Sequence, residues 1–415
     1  MAKTDISHTT KTMFLTKQTS TVYKKLRSAL LGALGCLALN TAAEAQTVNN
    51  TKFGKGLQFI AADSSFSLKF GTRFQMLYQG VVNGNDQIED RFLIRRARLK
   101  FDGFAFSPKL EYKIELGLSN SDIGSDNPAM TNNADNIILD AVAKWNFSPG
   151  WELWIGQAKL PGNRERVVSS QKMQFVDRSL LNAQFNLDRD AGLQLHHAHQ
   201  AGRAVIREKL ALSMGEGRDI TVNNAGGYNY TAQLEVLPLG EFEGEGEYVG
   251  GDIYREETPK LAIAASYDFN DNASRARGQL GDFLVGQRDL HTFFLDAMFK
   301  YSGFSAMGEY AYRNAPNGPV VARTETGQVE ETFTTGDALN LQAGYIFKNN
   351  WEVAGRYTTF NPESATGIRA QDQYTLGLSK YIVGHSLKVQ SDLTLQQVSG
   401  RDNSYMFRLQ MEVAL

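Results

Sequence analysis

The chain has 415 residues, 42% of them hydrophobic, with a formal net charge of −2 and a single cysteine. The nearly balanced charge excludes a globally basic nucleic-acid-binding protein and an acidic disordered one, so we expect no nucleic-acid partner. One cysteine excludes a disulfide framework and a multi-cysteine zinc site. The chain's 38 glycines, 44 aromatic residues and only 9 prolines favour many strands joined by turns.

Residues 1–45 are predicted to be an N-terminal extension followed by a cleaved signal peptide. Basic residues at 24–27 precede the apolar run 29–39, and the small-residue pattern 43–45 follows it. These are the three regions of a secretory signal in their usual order. The alternatives are a short membrane anchor, for which the run is shorter than the roughly 20 residues required, and lipid attachment at Cys36, whose preceding residues fit poorly.

Cleavage after residue 45 leaves residues 46–415 as a single predicted domain. Removal of the leader takes away six basic and two acidic side chains, so the formal net charge becomes −6 and no cysteine is left. An exported protein without cysteine is typical of the envelope of a Gram-negative bacterium, where stray thiols are oxidised.

Apolar and polar residues alternate along much of the mature chain. In segment 66–78 the even positions are mostly apolar, and segment 405–415 alternates in the same way. A period of two predicts strands with one apolar face. We trace sixteen such segments, and many exceed the length of about five or six residues that is usual in soluble proteins. They match the length of about 9–11 residues that a tilted membrane-spanning strand needs.

The connections between these strands alternate in length. Turns such as 107–109 and 302–303 are short, whereas loops such as 161–189 and 270–288 are long, as in outer-membrane barrels with short periplasmic turns. The exception is 238–258, which is long but periplasmic by this count, and we interpret its acidic stretch 240–247 as a solvated turn. The sequence therefore predicts an all-β fold, a transmembrane antiparallel β-barrel of about 16 strands, wide enough for an aqueous channel.

In this prediction the outer surface of the barrel contacts outer-membrane lipid and lipopolysaccharide. Aromatic residues near the strand ends are predicted to form the two interfacial girdles. They are Tyr78, Phe106, Trp145, Phe147, Trp151, Tyr301, Phe304, Phe347, Trp351, Tyr357, Phe360 and Tyr381.

A stripe of cations follows one face of the second predicted strand, at Arg96, Arg98 and Lys100. A basic residue facing lipid at the bilayer midplane costs about 2–4 kcal/mol, so this face must line the lumen, as must Arg73 on the first strand. The stripe fits an anion path, and it fits equally well a solvated wall whose charge is balanced by neighbouring carboxylates. The balancing candidates are Glu111, Glu115 and Asp140.

Loop 161–189, here named the constriction loop, is the longest connection. It is too apolar to extend freely into solvent, so we predict that it folds into the barrel and narrows it. Guanidinium groups bind phosphate through pairs of hydrogen bonds, and rings of basic residues occur in anion pores. An alternative is that Asp177 and Arg178 form ion pairs that fix the loop. The candidate donors to an anion are Arg164, Arg166, Ser169, Ser170 and Arg178.

Histidines cluster at His196, His197 and His199. On a strand His197 and His199 share a face, an arrangement that can bind a metal. Histidines near a periplasmic turn usually bind none, and we expect neither a metal nor a cofactor. We expect no enzymatic activity, although the order of residues in a sequence does not define a Ser-His-Asp site. A hydrolytic or purely structural barrel is the alternative.

Several short motifs resemble the phosphate-selective porin O and P family. The resemblance extends over essentially all of the mature chain and is strongest over 91–195. It implies a homotrimeric outer-membrane porin of sixteen strands, with an inward-folded third loop and a basic ladder that passes phosphate or polyphosphate. The motifs are Arg95-Arg96-Ala97-Arg98-Leu99-Lys100-Phe101, Gly156-Gln157-Ala158-Lys159-Leu160-Pro161, Ser169-Ser170, Asp177-Arg178-Ser179 and Arg189-Asp190-x-Gly192.

Position by position, Arg95 and Arg96 resemble the family's paired arginines on the pore wall. Segment 166–170 resembles its constriction loop, and Asp140 resembles an acidic residue facing that loop. Strand alternation places Arg95 and Arg96 on opposite faces, so both reach the lumen only if a β-bulge intervenes or Arg95 lies at the rim. The chain also ends in Leu415 rather than the phenylalanine common in barrels. A general, non-specific porin is therefore the alternative to a phosphate channel.

Overall fold

A computed structural model describes residues 52–84, 87–123 and 136–415. The predicted extension and signal peptide at 1–45 lie outside these residues. Sixteen antiparallel strands form one sheet in which each strand pairs with its neighbours in the chain and the last pairs with the first. The predicted all-β barrel of sixteen strands is confirmed. None of the helices among the described residues is long and apolar enough to cross a membrane.

The barrel strands are β1 Ser67–Val82, β2 Ile88–Ala105, β3 Ser107–Gly117, β4 Ile138–Ser148, β5 Trp151–Lys159, β6 Arg189–Ala201, β7 Ala204–Ser213, β8 Asn229–Leu237, β9 Lys260–Arg275, β10 Phe283–Tyr301, β11 Phe304–Asn314, β12 Gly336–Ile346, β13 Trp351–Pro362, β14 Gln371–Val383, β15 Leu387–Val398 and β16 Ser404–Ala414. Short strands outside the ring are Leu57–Ile60, which pairs with the start of β1, and the hairpin Val320–Arg323 with Val329–Thr332. Short helices lie at Asn120–Ile123, Arg164–Val167 and Leu180–Phe185, and 3₁₀ segments at Glu243–Tyr248 and Ser364–Thr366.

Burial along the strands is the reverse of that in a soluble protein. In β16, Arg408, Gln410 and Glu412 are buried, whereas Phe407 and Leu409 between them are exposed. The polar face of each such strand therefore points into the lumen and its apolar face points outward. This inversion is what a barrel with a water-filled interior and a lipid-facing exterior requires.

Most of the aromatic residues predicted for the girdles are exposed on the outer surface, for example Phe106, Trp145 and Trp351. Tyr78 and Tyr357 are partly exposed, and two others are buried. Phe360 is 0% exposed and stacks edge-on against Phe185 of the constriction loop, so the girdle assignment was wrong for it. Tyr381 is 1% exposed and donates to Glu352 Oε2 at 2.5 Å. Both rings lie inside the barrel because they belong to the inward face of their strands, Phe360 with the buried Thr358 and Tyr381 with the buried Ser379.

The predicted short turns are confirmed, and one long loop proves shorter. At the turn between β10 and β11, Ser302 and Gly303 have φ of 51° and 93°, the left-handed pair that tight hairpins require. The loop predicted at 270–288 is largely strand, since β9 continues to Arg275 and β10 begins at Phe283. Irregular pairing between Asn270 and Arg275 interrupts the alternation there, which is why the sequence pattern did not show these strand ends.

The constriction loop folds into the barrel as predicted and packs against one side of the wall. Its residues Leu181 and Phe185 are fully buried against Phe294 of β10 and Phe360 of β13. The Ser179 hydroxyl accepts from the Asn182 amide at 3.2 Å and caps the second of the loop's helices. Burial of these side chains fills the lumen on the β10–β13 side.

The acidic stretch 240–247 was predicted to be a solvated turn, and for its last two residues, Gly246 and Glu247, this is wrong because both are buried. Glu247 is 1% exposed and Asp252 is 0% exposed. Lys300 of β10 donates to the carbonyl of Val249 at 2.8 Å. The Gly250 amide donates to the Lys172 carbonyl at 2.6 Å. The connection 238–259, here named the periplasmic insert, therefore enters the barrel from the opposite end and contacts the constriction loop.

Candidate functional site

A cavity of about 510 Å³ lies between the constriction loop and the inner wall. Its lining contains thirteen arginine and lysine side chains but only four aspartate and glutamate side chains. The basic residues are Arg73, Arg95, Arg96, Arg98, Lys113, Lys144, Lys159, Arg166, Arg178, Arg189, Lys209, Arg218 and Arg275. The acidic ones are Glu115, Asp122, Asp140 and Asp188. The open part of the lumen therefore carries an excess of positive charge.

A β-bulge lets both paired arginines face this cavity. The pairing of β1 with β2 shifts between Gln75 and Met76, whose partners are Arg96 and Ile94, so Arg95 is the extra residue. Arg95 Nη2 lies 2.9 Å from Asp177 Oδ2 and Arg96 Nη2 lies 3.0 Å from Asp177 Oδ1. A β-bulge was one of the two expected ways for Arg95 and Arg96, which are consecutive, to face the same side.

The loop carboxylate that meets these arginines has a strongly shifted pKa. Burial alone would raise the pKa of Asp177, but Arg96 and Arg95 together lower it far below its ordinary value. Asp177 therefore stays ionised and holds the loop against β2. The alternative that Asp177 and Arg178 form ion pairs that fix the loop describes Asp177, whereas Arg178 Nε donates to the Glu165 carbonyl at 2.9 Å.

Arg178 illustrates the positive potential around the loop. Its guanidinium bonds main-chain oxygens, with 2.7 Å from Nη2 to the Val168 carbonyl, and these carry no formal charge. Burial and then repulsion from Arg166 and Arg96 lower the pKa of Arg178 well below its ordinary value. Lys159 bonds carbonyls in the same way, at 2.7 Å from that of Arg166. Both cations fix the loop without being neutralised by these bonds.

The serine pair lies where the loop meets the first strand. Arg73 Nη2 donates to the Ser170 hydroxyl at 2.7 Å, and Gln75 donates to the Ser170 carbonyl at 3.2 Å. Ser169 also lines the cavity, and its hydroxyl accepts from the Gln171 amide at 3.3 Å. The structure thus brings Arg73 and both serines together beside the paired arginines.

Farther along the wall, cations and carboxylates alternate across β2, β3 and β4. Arg98 lies 3.1 Å from Glu115 and 2.9 Å from Asp122. Asp140 accepts from Lys113 and, at 2.6 Å, from Arg189. The expectation of a wall balanced by Glu111, Glu115 and Asp140 thus describes part of the lining. Glu111 is exposed and does not line the cavity, and the four carboxylates that do line it are outnumbered.

Two of the candidate residues lie away from the cavity. Arg164 is 2% exposed and lies between Glu235 and Asp296, 2.9 Å and 2.6 Å from their carboxylate oxygens. Lys100 has a side chain that is 45% exposed and pairs with Asp102 at 2.9 Å. Arg166 does line the cavity, where it pairs with Asp188.

Seven of the cations that line the cavity were not among the residues predicted from the sequence. Lys113 alternates with apolar residues on β3, and Lys159 and Arg189 belong to quoted motifs, so a signal existed for these three. Lys144 and Lys209 lie on strands whose inward face was not assigned. Arg218 lies in the connection after β7, and Arg275 is the last residue of β9. Alternation within a strand does not predict which way side chains at such positions point.

Comparison with known proteins is consistent with this architecture. The chain matches the family described as phosphate-selective porin O and P over residues 68–404. An uncharacterized protein from Aquifex aeolicus (strain VF5) is 22% identical over 340 residues, which span 74% of this chain and 76% of that protein.

Solved outer-membrane proteins share the fold at 10% identity. A loop L8 deletion mutant of OmpT from Vibrio cholerae aligns with a TM-score of 0.53 over 85% of this chain and 100% of that chain. The outer-membrane channel DcaP of Acinetobacter baumannii gives 0.52 over 85% and 98%. An anion-selective porin from Comamonas acidovorans gives 0.51 over 84% and 100%. With a barrel of sixteen strands and a family match over most of its length, the chain belongs to the phosphate-selective porin O and P family of outer-membrane porins.

Proposed function

We propose that this outer-membrane porin passes small anions, with phosphate or polyphosphate as its solute, through the cavity beside the constriction loop. The observation that carries the proposal is the excess of thirteen basic over four acidic side chains in the cavity lining. Clefts lined by one sign of charge concentrate ions of the opposite sign, and basic rings select anions in pores.

The positive charge is local to the cavity. The formal net charge of the chain is −2, and −6 without residues 1–45, so overall charge would favour cations if it governed selectivity. The basic wall therefore has to act at short range, where an ion passes through the cavity beside the constriction loop. Main-chain bonds hold Lys159 and Arg178 in place without neutralising them, which leaves their charge available to a passing anion.

The preference for phosphate rests on the donors grouped around the serine pair. Arg73, Arg166, Arg178, Ser169 and Ser170 all line the cavity. Guanidinium and hydroxyl groups supply the hydrogen bonds that phosphate oxygens accept. The alternative is a general anion porin, which would need the same positive wall but no group of guanidinium and hydroxyl donors.

The charge preference is tested by reversal potential in a planar bilayer under a KCl gradient. We expect the reversal potential to have the sign that preferential permeation of chloride produces. A clearly cation-selective potential would contradict the proposal, whatever the solute. Because the measurement uses chloride alone, it separates the anion path from the preference for phosphate.

Phosphate recognition is tested by block of the chloride current. We expect millimolar phosphate to reduce the current, and we expect Arg166→Ala to weaken this block while Lys100→Ala, a cation outside the cavity, leaves it unchanged. Chloride current that phosphate does not alter would identify a general anion porin. Equal effects of the two substitutions would show that the block depends on overall charge.

We further propose that residues 1–45 are removed on export and that the barrels assemble as homotrimers in contact with lipid and lipopolysaccharide. The order of basic, apolar and small residues supports the first statement, and membership of the family supports the second. N-terminal sequencing of the membrane-extracted protein should begin at residue 46, and cross-linking in detergent should end at three chains. A mature chain starting upstream of the apolar run 29–39 would contradict cleavage.

A further inference from the structure

A cluster of two histidines and a glutamate lies on the outer surface of the barrel near its periplasmic end. His197 and His199 are on β6, four and two residues before its last residue, Ala201. Glu208 is on β7 and pairs directly with His197 across the two strands. Strand alternation predicted that the two histidines share one face, and the structure adds the carboxylate.

The three side chains converge. His197 Nδ1 lies 3.1 Å and His199 Nδ1 lies 3.7 Å from Glu208 Oε2. One ligand atom from each of the three residues lies within 4.8 Å of the other two. A tetrahedral ion bound at about 2.0–2.2 Å from each ligand separates them by roughly 3.3 Å. The observed distances bracket this value, so small side-chain adjustments are enough to close the site.

The strands and a neighbouring ring hold these groups in place. The pairing of β6 with β7 fixes His197 opposite Glu208 and places His199 diagonally from it. The ring of His197 stacks on Trp151 with a centroid distance of 4.1 Å, which limits its rotation. The side chains of His199 and Glu208 are both 41% exposed, so an ion can reach them from the periplasmic side.

We propose that His197, His199 and Glu208 form a binding site for a divalent transition-metal ion such as Zn²⁺. Two imidazoles and one carboxylate are a ligand set that zinc accepts, with water in the fourth position. Calcium and magnesium favour oxygen ligands and would bind weakly here. A bound ion would join β6 to β7 through their side chains, outside the channel and separate from the anion path.

The site is tested by measuring zinc binding to the tag-free protein in detergent after a wash with chelator. Binding is measured by equilibrium dialysis with metal analysis. We expect about one zinc ion per chain at low micromolar free zinc. Because changes even in the groups that surround metal ligands cost about 10–100-fold in affinity, Glu208→Gln and His199→Asn should each weaken binding at least tenfold. Substitution with Co²⁺ should give the absorption of a tetrahedral ion.

Matched controls separate this site from general affinity for zinc. His291→Asn removes an imidazole that bonds Tyr267 on other strands, and Glu152→Gln removes a carboxylate from the adjacent strand β5. Both should bind zinc as the wild type does. Heat-modifiable migration on gels checks that each variant is folded. Absence of stoichiometric zinc in the folded wild type would overturn the proposal, as would unchanged binding by both folded site variants.

Discussion

Asp177 in the constriction loop forms an ion pair with Arg96 on β2, at 3.0 Å between Arg96 Nη2 and Asp177 Oδ1. Arg95 reaches the same carboxylate. The carbonyl of Asp177 accepts from Arg356 of β13 at 2.9 Å. One loop residue therefore connects two separate parts of the barrel wall, and the position of the loop relative to the cavity depends on it.

Replacement of Asp177 by asparagine should release this part of the loop. Asparagine keeps the shape of the side chain but cannot neutralise Arg95 and Arg96. We expect larger fluctuations of single-channel current and a reversal potential shifted toward chloride, since a negative charge near the cavity is lost. Asp372→Asn is the control because its carboxylate accepts from Tyr357 at 2.9 Å away from the cavity. Equal current fluctuations and equal reversal potentials in the two variants would contradict the role given to Asp177.

The pH dependence of the contact follows from the pKa of Asp177. Burial opposes ionisation, but Arg96 and Arg95 lower this pKa far below its ordinary 3.8. A lowered carboxyl pKa stabilises the folded loop fully above the ordinary value, and the stabilisation is lost only as pH falls through the folded value. Current fluctuations should therefore stay constant from neutral pH down to about pH 4. An increase that begins near neutrality would exclude Asp177 as the group responsible.

Arg164 should matter for stability and not for selectivity. It is enclosed by Glu235 and Asp296, and removal of one partner from a buried ion pair costs about 3–5 kcal/mol. Arg164→Met should lower the temperature at which the barrel unfolds on gels, while folded channels keep their anion preference. Arg369→Met, at an exposed loop residue that bonds the Gly400 carbonyl, serves as the control. A large change in reversal potential without loss of stability would contradict this assignment.

The contact between the periplasmic insert and the constriction loop can be disrupted with a single methyl group. A Cβ at Gly250 would lie 2.8 Å from the Lys172 carbonyl oxygen, and a main-chain atom cannot move aside on its own. Gly250→Ala should separate the two segments and change the single-channel conductance. A Cβ at Gly355 on β13 meets nothing within 4 Å, so Gly355→Ala should leave the conductance unchanged. The same conductance in both variants would show that the insert does not position the loop.

Selectivity should weaken with salt if charge governs it. The Debye length falls from about 10 Å at 0.1 M to about 3 Å at 1 M ionic strength. The preference for anions, measured by reversal potential at constant concentration ratio, should decline over this range. A preference that does not depend on salt would instead point to direct coordination of the permeating ion.

The barrel could be predicted because the alternation of apolar and polar residues is visible within each strand. Each strand alternates with a period of two, as in β16, and sixteen repetitions of this signal specify the architecture. The inward orientation of Arg95 was not predictable by alternation, because one inserted residue reverses the face of every residue beyond it. The sequence indicated only that Arg95 reaches the lumen if a bulge intervenes or if Arg95 lies at the rim.

Contacts made by loops were less accessible to sequence reasoning. Arg164 and Arg166 are close in sequence and of the same type, yet one is enclosed among carboxylates of the wall and the other faces the cavity. The partners of Arg164 are remote in the chain, with Asp296 lying 132 residues away. The acidic stretch 240–247 of the periplasmic insert was likewise interpreted as a solvated turn, because residues that face a polar lumen are as hydrophilic as residues that face solvent.

The serine pair has a consequence for how the barrel is assembled. Ser170 bonds Arg73 and Gln75 on β1, and Arg73 also reaches Glu412 on β16 at 3.5 Å. The tip of the constriction loop thus contacts the barrel wall at the place where the first and last strands pair. Glu412 of β16 also contacts the Arg73 side chain to which Ser170 bonds, so the full set of contacts at the tip of the loop exists only when β16 has paired with β1. The narrow passage beside the loop therefore depends on closure of the barrel.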